Sequence, residues 1–244
     1  MGGIRMNGDS LKGKKAVFFD AGFTFLEPHA PVPAIYRETA AALGVDTDES
    51  RFQDAFHAAW RGAGGRAFRP DHRTSDAEEL EAWRVLTRHI ASEFPQLLDR
   101  HPEWLEALVA RFDSGSTWRV AAGARPLFAA LRERGLKLAV VSNWHTALHR
   151  ILDELAISES FDLVVCSGGE GFRKPHPELF RRALSRLGLS PEEVVHIGDS
   201  FHDDVAGARR ARIDAWHLAA TPVAGRHGTI PSLEALYRNL LTNG

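Results

Sequence analysis

The chain has 244 residues, 44% of them hydrophobic and 25% charged, with a net charge of −2. That is the composition of an ordinary soluble globular protein with one large domain or two unequal ones, and so even a charge balance excludes an electrostatic footprint for nucleic acid or anionic membrane. One cysteine, Cys166, excludes an internal disulfide; with no signal-peptide core and no apolar run of about 20 residues, the expectation is a cytoplasmic protein with no membrane partner.

Residues 1–14 are glycine-rich and mildly basic and read as a mobile tail. Ala16-Val17-Phe18-Phe19 then reads as a strand buried on both faces, running directly into Asp20 and Gly22. After Thr24, prolines at 28, 31 and 33 break the pattern, and helices are predicted at Ala34–Leu43, Ser50–Arg61, Ala77–Phe94 and Pro102–Phe112. No strand pattern occurs between about residues 28 and 118. Beyond it, helices at Gly123–Arg134, His145–Leu155, Pro177–Leu187 and Asp203–Arg212 alternate with strands at Leu136–Val141, Leu163–Cys166, Val194–Ile197 and Ala215–Leu218. Ser190 to Glu193 spells a capping box, and a short helix closes the chain near Leu233–Leu241. The alternation predicts an α/β fold with a doubly wound parallel sheet, built from residues 15–27 and 119–244. The helical insert, residues 28–118, is expected to form a lid over the carboxyl edge of that sheet.

Four strands end in polar residues, Asp20, Ser142, Ser167 and Asp199, and in a parallel sheet those ends share one crevice. Asp199, Asp203 and Asp204 facing Asp20 would repel one another unless a divalent cation intervened, and hard oxygen ligands suit Mg²⁺. Singly, Asp203 and Asp204 also read as acidic residues complementing a helix N-terminus. Lys174, before Pro175, supplies a positioned cation, and Ser142 and Thr24 supply hydroxyl donors for an anion. Each of these also has an ordinary explanation, as a loop lysine, a helix-cap serine and a turn threonine.

In order and spacing, Phe19-Asp20-Ala21-Gly22-Phe23-Thr24, Val141-Ser142-Asn143, Arg173-Lys174-Pro175-His176-Pro177 and Gly198-Asp199-Ser200-Phe201-His202-Asp203-Asp204 resemble the four motifs of the haloacid dehalogenase-like (HAD) hydrolase superfamily. The resemblance covers roughly residues 14–27 and 119–225 and implies a Rossmann-like core with the helical insert as a C1 cap. It implies a phosphatase of small phosphorylated metabolites, in which Asp20 attacks phosphorus to form an aspartyl-phosphate. Ser142, Asn143 and Lys174 would hold the substrate, Thr24 would buttress the loop, and Asp20, the Gly22 carbonyl and Asp199 would bind Mg²⁺. Asp203 or Asp204 would hold metal-bound water or orient Lys174.

One departure from the pattern concerns position 22, where phosphatases of the superfamily usually carry a second aspartate as general acid and base. Gly22 keeps the carbonyl and removes the proton shuttle, which is worth about two to four orders of magnitude in rate. The departure implies a slow enzyme, a good leaving group or a substitute base, for which His145 is the first candidate. Two other readings remain: a 2-haloacid dehalogenase, whose family members lack that aspartate and need no metal, and a retired fold binding a phosphorylated ligand.

Residues 61–73, with four arginines and three glycines, join two predicted cap helices. Arg66 and Arg69 are candidates to clamp a second anionic part of a substrate, against the alternative of a solvated linker. Trp60, Trp83 and Trp104 sit at helical spacing and are expected in the cap core.

Overall fold

A computed structural model describes residues 11–62, 69–221 and 228–242. Strand β1 (Ala16–Phe19) is followed by the short β2 (Leu26–Pro28) and by five helices: α1 (Val32–Ala42), α2 (Glu49–Gly62), α3 (Asp76–Ala91), α4 (Pro95–Asp99) and α5 (His101–Phe112). The chain returns through β3 (Trp118–Val120), α6 (Ala124–Glu133), β4 (Lys137–Ser142), α7 (Leu148–Glu154) and β5 (Leu163–Cys166). Helices α8 (Ser167–Glu170) and α9 (Pro177–Leu187) lead to β6 (Val194–Gly198), a π-helical turn at Phe201–Ala206, and α10 (Gly207–Arg210). Strands β7 (Asp214–Leu218) and β8 (Thr229–Ile230) and helix α11 (Leu233–Thr242) complete the order.

The six-stranded sheet has the order β5-β4-β1-β6-β7-β8, all pairs parallel. β1 is central because every one of its side chains is apolar and both faces must be covered. Val17 and Phe19 join a cluster with Leu138, Val140, Val195 and Ile197 and with residues of α6, α7 and α11. Ala16 and Phe18 point to the other face, into a cluster with Ala139, Val141 and residues of α9 and α10. This period of two is what wraps helices on both sides. The first cluster continues without a break into α1–α5, where Trp104, Phe52, Ile90 and Leu108 are fully buried.

Several boundaries differ from expectation for local reasons. The predicted helix at Asp203–Arg212 begins as a π-helical turn, so its acidic residues follow a wider spiral than an α-helix allows. The helix expected from His145 starts only at Leu148, freeing residues 143–147 to form a loop. β2 and β3 pair antiparallel, Leu26 opposite Val120 and Pro28 opposite Trp118, at the two junctions of the helical insert. Three-residue strands paired across about 90 residues carry no periodic signal. Residues 1–10 of the expected tail lie outside the described residues, but Lys14 is fixed: its ammonium donates to Glu192 O at 2.8 Å and to the Asp214 carboxylate at 2.6 Å. The capping box is present, with the Ser190 N–H donating to Glu193 Oε2 at 2.9 Å.

Candidate active site

At the carboxyl edge of the sheet, the ends of β1, β4 and β6 bring Asp20, Ser142 and Asp199 together, as the topology requires. Asp20 is 7% exposed; its Oδ1 accepts from Ser142 Oγ at 2.9 Å and from Lys174 Nζ at 2.6 Å. The loop after it turns sharply through Phe23, at φ 56°, and carries Thr24 back beneath the site. Thr24 Oγ1 lies 3.4 Å from both Asp20 Oδ2 and Asp199 Oδ1.

Lys174 is buried and donates to two carboxylates at once, Asp20 and Asp204, each at 2.6 Å. Asn143, expected at the substrate, spends both ends of its amide on fixing this lysine. Its Nδ2 donates to Lys174 O at 3.0 Å, and its Oδ1 accepts from the Lys174 N–H at 2.7 Å.

Of the two adjacent aspartates, Asp204 is the one turned inward. Its Oδ1 also accepts from His196 Nε2 at 3.0 Å, and its Oδ2 accepts from the Ser200 N–H at 2.9 Å. Space for it exists because residue 198 is glycine: a Cβ there would lie 2.2 Å from the Asp204 carboxyl carbon. Asp203 is half-buried, pairs with His202 Nδ1 at 2.8 Å and lines the cavity described below. The bond to Lys174 is made by Asp204.

Oxygens of Asp20, Asp199 and Asp204 lie within 4.8 Å of one another. Burial, then the charges of Asp20 and Asp204, push the Asp199 carboxyl up to about 7. Burial also raises Asp20, against the pull of Lys174. For Asp204 burial is outweighed by Lys174 and His196, which hold its carboxyl well below the usual range. Burial disfavours the Lys174 ammonium, but the two carboxylates beside it raise its pKa on balance. Two buried carboxylates and the half-buried Asp199 stand against one ammonium, a donor set that a divalent cation with hard oxygen preferences fits. His196 is fully buried inside an apolar strand, where burial lowers its pKa, and it gives its Nε2–H to Asp204. Nothing in the alternation of that strand distinguishes it from packing residues.

A cavity of about 920 Å³ opens between the helical insert and this edge and reaches Lys174, Asn143 and Asp203. His145 lines it, with Nε2 donating to Asp113 Oδ1 at 2.7 Å. Arg69 lies at its rim, more than half exposed and paired with Asp71 at 3.2 Å and Glu78 at 3.6 Å; Arg66 lies outside the described residues. Trp104 is core, as expected, whereas Trp83 and the exposed Trp60 line the cavity. Sequence reasoning misses Tyr36, Phe112, Trp118 and Trp144, which also line it, since aromatic residues at helical or strand spacing read as core. Gly22 borders this wall: a Cβ on it would meet Trp144 Cζ3 at 3.3 Å.

Comparison with known proteins gives a consistent result. The family profile of the haloacid dehalogenase-like hydrolases matches residues 14–212. The bovine (Bos taurus) haloacid dehalogenase-like hydrolase domain-containing protein 3 is 32% identical over 205 residues, 82% of this chain and 80% of its own. A phosphoserine phosphatase of Thermus thermophilus is 42% identical over 93 residues, 38% of this chain and 37% of its own. Among solved structures, a HAD-hydrolase of Bacillus subtilis bound to magnesium superposes with a TM-score of 0.70 at 22% identity, covering 93% of this chain and 99% of that one. The last likeness is one of fold.

Proposed function

The chain belongs to the haloacid dehalogenase-like hydrolase family, and we propose that it is a Mg²⁺-dependent phosphatase of a small phosphorylated metabolite, with Asp20 as nucleophile. The observation that carries this reading is the buried set in which Lys174 bonds both Asp20 and Asp204 while Asp199 completes a trio of carboxylates. A phosphoryl group carries its charge on three oxygens, and catalysis of its transfer is mostly positioning and charge neutralisation. The relatives named as phosphatases point the same way.

In this mechanism Asp20 attacks phosphorus with a carboxylate oxygen, and the ester oxygen leaves with its bonding pair. Ser142 Oγ and Lys174 Nζ, which donate to Asp20 here, are the donors for the phosphoryl oxygens. Asp204 holds the Lys174 ammonium charged and aimed, and His196 and the Ser200 N–H hold Asp204. Asn143 fixes the same lysine through its main chain. Thr24 supports the loop that carries Gly22. A Mg²⁺ ion bound by Asp20, Asp199 and the Gly22 carbonyl would supply further positive charge against the phosphoryl oxygens. Water then attacks phosphorus and frees Asp20. The insert of α1–α5 acts as a cap that excludes bulk water, and Arg69, at the rim of the cavity, acts together with Arg66 on a second anionic group.

The dehalogenase reading has Asp20 displace halide from carbon without metal. The carboxylate trio disfavours it, because uncompensated buried charge is costly. Phosphate release from a panel of monoesters, alongside halide release from 2-haloacids, with Mg²⁺ and with chelator, tests the choice. Phosphate release that stops with chelator is expected; metal-independent halide release would overturn the proposal.

A further inference from the structure

The ester oxygen that leaves phosphorus takes the bonding pair with it. An alkoxide, whose conjugate acid has a pKa near the ~16 of water, needs a proton from the enzyme to leave; a phenolate, with a pKa of about 10, needs far less help. Position 22 offers no proton donor, and His145, the other candidate on the cavity, gives its Nε2–H to Asp113 at 2.7 Å. The space at position 22 is also tight, because Trp144 Cζ3 lies 3.3 Å from where a Cβ would sit.

Trp144 is the last ring of a continuous file. Its centroid is 4.9 Å from that of Trp118, which is 5.9 Å from Phe112; Phe112 in turn lies 5.4 Å from Trp83 and 5.6 Å from Tyr36. All five rings line the cavity that reaches Lys174. They come from α1, α3, α5, β3 and the loop after β4, so the file crosses from the helical insert to the sheet edge and ends beside the loop that carries Asp20. Tyr36, Phe112 and Trp118 are buried and back the wall, while the half-buried Trp83 and Trp144 present ring surface on which a planar, apolar group finds edge-to-face contacts.

We propose that the substrate is the phosphate monoester of an aromatic hydroxyl, whose ring packs on this file and whose oxygen departs as a phenolate without a protein proton donor. This rests on the phosphatase reading above. The bond from the Asp20 oxygen to phosphorus forms as the aryl oxygen–phosphorus bond breaks; the pair stays on the aryl oxygen, which takes its proton from water. A second water adds to phosphorus and the Asp20 carboxylate is released; one proton of that water stays on the phosphate, and the other neutralises the hydroxide left when the aryl oxygen took its proton. One ester and one water thus give one phenol and one hydrogen phosphate.

Three esters and one acyl phosphate separate the two halves of the proposal when assayed on the full chain with Mg²⁺. Phenyl phosphate has both the ring and the good leaving group, 2-phenylethyl phosphate only the ring, acetyl phosphate only the leaving group, and propyl phosphate neither. The expected kcat for phenyl phosphate exceeds that for 2-phenylethyl phosphate by about 10²–10⁴-fold, the scale of a missing general acid. Acetyl phosphate is expected to keep a high kcat with a raised KM. Propyl phosphate turned over within about tenfold of phenyl phosphate would overturn the proposal and leave the phosphatase reading standing. Silence with all four compounds would overturn both.

Binding gives a second readout, free of turnover. Phenylphosphonate is expected to quench tryptophan fluorescence at lower concentration than propylphosphonate, and Trp83→Leu to weaken phenylphosphonate alone by about threefold to tenfold. Trp144→Leu, at the other end of the file in the loop after β4, serves where Trp83→Leu does not fold. Equal affinity for the two phosphonates would overturn the ring site.

Discussion

Lys174 is the residue on which the site turns electrostatically, since its ammonium is what makes two buried carboxylates tolerable side by side. Lys174→Met would leave Asp20 and Asp204 without that partner at a depth where an unpaired charge is expensive. The expected result is loss of turnover together with ~3–5 kcal/mol of stability in metal-free urea unfolding. Unchanged stability would mean that the carboxylates do not depend on the lysine. At this scale much was legible. Asp20, Ser142 and Asp199 each close an apolar run, and Lys174 precedes a proline, so topology alone brings them to one edge. The choice between Asp203 and Asp204 was not legible, because neighbours on one turn differ only in which way they face. The missing Cβ of Gly198 and the donors His196 and Ser200 decide it, and these are contacts in space. Asn143 was legible as a site residue, but its attachment to the lysine backbone was not.

Two elements carry their own predictions. The start of α3 is hooked to the sheet edge: Asp76 accepts from the Thr146 N–H at 2.9 Å and from its Oγ at 2.5 Å, and Glu79 accepts from Ser167 Oγ at 2.6 Å. Asp76→Ala removes one hook, so KM for phenyl phosphate should rise by about threefold to tenfold while the melting temperature shifts little. An unchanged KM would show that these contacts do not hold the cavity wall. Before β6, the Glu193 carboxyl is lowered from its ordinary 4.5 to about 2 by the Lys15 side chain and then by the Ser190 N–H. A folded-state value below the unfolded one contributes stability that is present above pH 4.5 and lost as pH falls through about 2. The stability difference between wild type and Glu193→Gln should therefore shrink across that window; a difference constant with pH would contradict the assignment. The capping box was readable from Ser190 and Glu193 because its signal is local. The β2–β3 ribbon and the π-helical turn were not, since the first pairs residues far apart in sequence and the second follows from what Asp204 must reach.

At the scale of the whole molecule, a parallel sheet and a helical insert enclose one cavity that is acidic and cationic at one end and aromatic along its wall. The parallel sheet flanked by helices was legible, because strand signals return in regular alternation over the second half of the chain. What the cavity is lined with was not, since Trp83, Phe112 and Trp118 satisfy the same periodicity whether they face a core or a void. Among the described residues no helix is long and apolar enough to cross a membrane. The central claim is that phosphate passes through Asp20. Its most direct test is rapid quenching of the Mg²⁺-loaded protein during turnover of phenyl phosphate, followed by mass spectrometry of its peptides. The account predicts a phosphoryl increment on the peptide bearing Asp20, labile to hydroxylamine and absent from Asp20→Asn, which should turn over no ester. A phosphoryl group on another residue, or undiminished turnover by Asp20→Asn, would contradict it.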